Sequence, residues 1–121
     1  MEKVKFGRTL GYWGVGFGKV YPAKLHKLKP AAAGDIEFEL SDGAIDDGYH
    51  FDTADPIWVC VDNGNCPHQR STHPDITNIR PSNDRLTIHN GKVSGRVRLR
   101  YQLNVLNGEN QPKPIDPIIE N

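Results

Sequence analysis

The sequence predicts an all-β fold, an immunoglobulin-like antiparallel β-sandwich of about seven to nine strands. Three observations carry that expectation. Glycine and proline make up 21 of the 121 residues, spread so evenly that the longest stretch free of both is twelve residues, 96–107. Inside a helix Gly costs about 1 kcal/mol and Pro about 3 kcal/mol, so a helical bundle is excluded. Residues 96–105 alternate strictly between polar and apolar, which is the period of a half-buried strand. Turn signals recur about every 8–12 residues, the spacing of sandwiches and barrels. Half-apolar strands must cover their apolar faces, and without an amphipathic helix a second sheet has to do it.

The elements follow in order. Val4 and Phe6 mark a first strand. Next, Trp13, Val15 and Phe17 share one face of a segment whose other face is Gly14, Gly16 and Gly18. Residues 23–29 read as a short helical turn or another strand. Ile36, Phe38 and Leu40 alternate with Glu37 and Glu39, and the run 57–61 is dense in β-branched and aromatic residues. Leu86-Thr87-Ile88-His89 runs into Asn90-Gly91, a hairpin dipeptide. In the long strand Val97, Leu99, Tyr101, Leu103 and Val105 form the apolar face, and Asn107-Gly108 supplies a turn. The return through Pro112, Pro114 and Pro117 lacks ladder donors, which predicts an edge position for the last strand. Residues 1–121 thus form one domain, with the basic, Gly-rich residues 1–30 either within the sandwich or peripheral to it.

Leu, Ile, Val and Phe together number 29 of 121, enough for a thin core. Formal charge is zero, from 15 basic and 15 acidic residues. The charges are blocked, however. Residues 1–30 carry seven Lys/Arg, residues 31–69 nine acids and no Lys or Arg, and residues 70–121 eight basic and five acidic residues. Strands from the acidic block are expected to pair with strands from the basic blocks. The same blocks, with exposed strand edges, offer a route to a homo-oligomer. No run of about 20 apolar residues is present, so a spanning helix is not expected. No apolar h-region follows Met1-Glu2-Lys3-Val4-Lys5, which points to a cytoplasmic protein.

Several constellations bear on chemistry. Gly14-Val15-Gly16-Phe17-Gly18 has neither the spacing nor the following helix of a dinucleotide fingerprint. Cys60, Cys66, His68 and His73 have zinc-ligand residue types, but the cysteine spacing is loose. A Cys60–Cys66 bridge across a hairpin is an alternative; the missing h-region favours two free thiols. Asp42, Asp46 and Asp47 crowd a glycine-bearing loop and are the candidate calcium ligands, although Asp and Gly also dominate ordinary turns. No other cofactor is expected. Arg96, Arg98 and Arg100 project from one strand face, a candidate surface for an acidic partner. With no net charge and few aromatics for base stacking, nucleic acid is disfavoured, and a solvated face paired with Glu37 and Glu39 is expected. No nucleophile elbow surrounds any serine, and His26, His50 and His89 have no acidic neighbour in sequence.

Asp55-Pro56-Ile57-Trp58-Val59, running into Asp62-Asn63-Gly64-Asn65-Cys66-Pro67, and the closing Ile115-Asp116-Pro117-Ile118-Ile119-Glu120-Asn121 together resemble the DP-EP family of small bacterial proteins. More distantly they resemble the bacterial inclusion-body proteins. The second motif stands here as Asp116-Pro117, and the resemblance covers roughly residues 35–121. It implies a β-sandwich and carries over no catalytic residues. The expectation is therefore a soluble, non-enzymatic binding or self-assembly module. Alternatives are a calcium-dependent ligand-binding domain, with carbohydrate among its possible ligands, and an enzyme using Cys60 with a histidine.

Overall fold

Alternating residues of the first strand set the frame. In β1 (Glu2–Thr9), Val4 and Phe6 are buried while Lys3 and Thr9 are exposed. The computed structural model describes residues 2–9, 11–15, 21–23, 27–30, 32–62 and 70–121. Within them, β1 pairs antiparallel with β2 (Tyr12–Val15) and parallel with β5 (Gly34–Leu40). β2 continues to β3 (Tyr21–Pro22). On its other side β5 meets β9 (Arg85–Asn90), which forms a hairpin with β8 (Ile76–Pro81). This larger sheet has the order β3-β2-β1-β5-β9-β8. β1 thus lies well inside the sheet, and the described N-terminal strands β1, β2 and β3 belong to it.

The smaller sheet has the order β4-β12-β10-β7. β10 (Arg98–Leu103) runs antiparallel to β7 (Ile57–Val61) and β12 (Ile118–Glu120), and β12 runs parallel to β4 (Lys27–Leu28). A two-stranded ribbon joins β6 (His50–Phe51) to β11 (Val105–Leu106). Of the twelve strand segments among the described residues, four are only two residues long. Inward-facing residues of both sheets meet in one core. Phe38 of the larger sheet packs on Tyr101 of the smaller at 5.3 Å, and both are fully buried. The expected sandwich is present, with parallel pairing at β1–β5 and β4–β12.

Three local expectations are corrected. Asn90-Gly91 closes no hairpin: β9 ends there and the chain crosses to the other sheet. Asn90 is buried and exchanges amide hydrogen bonds with Asn121 at 2.7 and 3.0 Å. The last strand is not at an edge. Its prolines all precede it, so β12 keeps its N–H donors and fits between β4 and β10. The loop at Asp42 is a short helix, α1 (Asp42–Asp46), because Ser41 caps it by accepting from Ala44 N–H at 3.2 Å. The chain leaves α1 through Gly48 at φ 93°, where a Cβ would lie 3.1 Å from Gly108 Cα. That close approach sets the 107–111 turn beside the exit of α1 and places Tyr49.

The charge blocks pair as expected, across the outer face of the larger sheet. Glu37 meets Lys3 at 3.5 Å and Arg85 at 3.4 Å, and Asp35 meets Arg80 at 3.0 Å and His89 at 2.9 Å. An acidic strand thus lies between two basic ones.

Candidate functional site

The inward positions of β1 read Val4, Phe6, Arg8, so the third is a charge where an apolar residue would extend the core. Register places Arg8 opposite Trp13 and Phe6 opposite Val15. The smaller sheet does not extend over this end. A proline-bearing segment, residues 112–116, stands there instead. It is held by β10 and β11: Lys113 N–H donates to Val105 O at 2.7 Å, and Leu103 and Ile115 exchange bonds at 2.7 and 3.0 Å. Pro112 and Pro114 occupy the alternate positions, so no N–H is left orphaned on the side facing away from the ladder.

Between the β1–β2 hairpin and this wall lies a cleft of about 610 Å³. Its volume is in the range of small-molecule sites, about 300–1,000 Å³. The floor is rigid. Trp13 is buried and donates its Nε1–H to Lys113 O at 2.8 Å, and it meets Tyr49 edge to face at 5.2 Å. The Arg8 guanidinium lies 5.2 Å from the Trp13 ring centre and 5.3 Å from that of Tyr49. Such cation–π contacts contribute about 0.5–2 kcal/mol and hold the guanidinium over the rings. Tyr12, 77% exposed, stands at the mouth with Pro112, Pro114, Lys113 and Asp116, and Ala23 and Ile115 close the base.

The arginines of the long strand fare differently. Arg98 pairs with Asp62 at 3.0 Å and Glu120 at 3.8 Å, and Arg100 with Asp62 at 3.8 Å. Glu37 and Glu39 lie on the other sheet, which corrects the expected pairing: the neighbours of β10 are β7 and β12, and their ends supply the carboxylates. Arg96 is exposed and outside β10. Asp42, Asp46 and Asp47 are exposed along α1 and its C-cap, and among the described residues no three His, Cys, Asp or Glu side chains converge on a metal position.

Cys60 is disulfide-bonded, contrary to the expected free thiols. The chain's other cysteine, Cys66, lies outside the described residues, as do His26, His68, Gly16 and Gly18. A bonded Cys60 offers no thiolate for metal or nucleophilic chemistry. His89 does have an acidic partner, supplied across the strands rather than along the chain: its Nδ1–H donates to Asp35. That hydrogen bond, with a second from Arg80, holds the Asp35 carboxyl below its ordinary range. Asp75, fully buried, accepts from Ser94 N–H at 3.0 Å and Oγ–H at 2.9 Å, and its backbone N–H donates to His73 Nδ1 at 3.1 Å.

Sequence reading missed the cleft. Arg8, Tyr49 and residues 112–116 lie in three separate stretches, and only their assembly makes the cleft and its floor. One signal was present, the charge that interrupts the inward series Val4, Phe6, Arg8. No helix of the described residues is long and apolar enough to cross a membrane. Comparison with family models, with curated proteins and with solved structures gives no match.

Proposed function

We propose that this chain is a non-enzymatic binding module that holds a small organic ligand in the cleft between the β1–β2 hairpin and residues 112–116. The observation that carries this reading is the build of the cleft: a mostly apolar enclosure with a rigid aromatic floor and a few charged groups at set positions. Pre-formed concave sites of this composition are where proteins bind small molecules. Self-association through strand edges draws less support. The β8 edge is broken by a bulge between Thr77 and Arg80, with Asn78 at φ 50°, and ends in Pro81. The β7 edge is occupied at Val59, whose N–H donates to Ser71 O at 3.0 Å. Bulges, prolines and covered edges oppose edge-to-edge pairing.

The two tryptophans make a test. Trp13 lies in the cleft, while Trp58 donates its Nε1–H to Asp55 at 2.8 Å on the smaller sheet. In ¹⁵N-labelled protein, millimolar bicyclic aromatic fragments, neutral and charged, are expected to shift the Trp13 indole resonance and leave that of Trp58 in place. If no fragment moves Trp13, or both indoles respond alike, the reading is wrong.

A further inference from the structure

We infer that the ligand of this cleft is an organic anion: a carboxylate, or a group of like shape and charge, on an apolar ring. The inference rests on the cleft being a ligand site and adds the chemistry it selects. Arg8 projects from an inward position of β1 and is half-buried, with its guanidinium carbon 5.2 Å from the Trp13 ring centre and 5.3 Å from that of Tyr49. Burial makes an unanswered charge costly, so half-buried arginines normally find a carboxylate. Arg8 has none. All 15 Asp and Glu residues are among the described residues, and none lies within 4.0 Å of its guanidinium nitrogens.

The other arginines sharpen the point. Arg70, Arg80, Arg85, Arg98 and Arg100 are all ion-paired. Arg96 is not, but it is exposed and water solvates it. Arg8 alone combines partial burial with the lack of a carboxylate, and it does so on the lining of the cleft. A cation–π contact engages the charge of a guanidinium and not its N–H donors, and those donors match a carboxylate bidentately. Lys113, also half-buried and without an ion pair, lines the same cleft. Asp116 is the single acid on the lining and pairs with neither, so the lining carries a net positive charge. The remaining walls are aromatic and proline surface, which suits a flat apolar body rather than a polyol.

A matched pair of probes tests this. 2-Naphthoate and 2-naphthamide share size and ring and differ in charge. Titrated separately against ¹⁵N-labelled protein and followed at the Trp13 indole, the acid is expected to bind about tenfold more tightly than the amide, as a charge-assisted hydrogen bond implies. Arg8→Gln is expected to remove that preference, bringing naphthoate down to the affinity that the same variant shows for naphthamide. Asp116→Asn should tighten naphthoate about two- to threefold by deleting a like charge. Should Arg8→Gln fail to fold, Lys113→Gln and the wild-type comparison still decide, because neither disturbs the floor. Equal binding of acid and amide overturns the anion assignment while the cleft stands as a site. No response of Trp13 to either probe removes the site itself.

Discussion

The two ends of β1 meet charge in opposite ways. Near Glu2, the outward Lys3 joins a ladder in which Glu37 and Asp35 are answered by Lys3, Arg85, Arg80 and His89. Near Thr9, the inward Arg8 rests on two aromatic rings and no carboxylate answers it. The first arrangement is closed: each acid has two partners, and the face needs nothing further from outside. The second is open, because a half-buried cation keeps an unused row of donors facing a cavity. Charge that is internally balanced stabilises a sheet; charge left unbalanced beside an apolar cavity marks where a ligand supplies the missing partner.

Breaking the floor of the open end should have the largest effect. Trp13→Ala removes the ring that Arg8 and Tyr49 pack on, together with the bond to Lys113 O. We expect a loss of about 3 kcal/mol in urea unfolding, the usual cost of a buried large-to-small change, and no fragment binding. Breaking the closed end should cost less. Glu37→Gln leaves Lys3 and Arg85 flanking a neutral group, with a loss of about 1 kcal/mol that shrinks in high salt, since both partners are exposed.

Substitution of the open cation sharpens the contrast. Arg8→Met keeps the length and apolar packing of the side chain but deletes a charge that has no carboxylate. Any loss of stability should stay within the ~0.5–2 kcal/mol of the cation–π contacts that go with the charge, while the preference for naphthoate disappears. A large destabilisation would place Arg8 with the structural charges of the ladder. The smallest effect concerns acid. Asp35 ionises below its ordinary range because His89 and Arg80 hydrogen-bond its charged form. Its contribution is therefore full above the ordinary Asp value and is lost as pH falls through the lowered one. In His89→Ala the Asp35 carboxyl midpoint, followed by NMR, should move up toward the ordinary value, and the acid limb of stability should flatten slightly.

Much of the fold was legible because it repeats locally. Ile36, Phe38 and Leu40 announce β5, and Leu99, Tyr101 and Leu103 announce β10, since a period of two has one explanation when a face must be buried. The failures share a cause. Asn90-Gly91 has the residues of a hairpin, yet the Asn90 amide is engaged with Asn121, 31 positions away, and the chain crosses between sheets. The prolines near the C-terminus argued for an edge, but β4 arrives from residues 27–28 to cover β12. At Asp42 the local reading missed a capping signal that was in view at Ser41.

By itself the sequence determined the class of the protein. Evenly spread Gly and Pro exclude long helices, and alternation demands two layers, because both effects act between residues near in the chain. Tertiary structure decided the site. A cleft needs Arg8, Tyr12 and Trp13 brought against residues 112–116, and whether Arg8 is paired or open depends on where fifteen carboxylates finally lie. Burial and charge balance are properties of distance in space, and a one-dimensional pattern does not contain them.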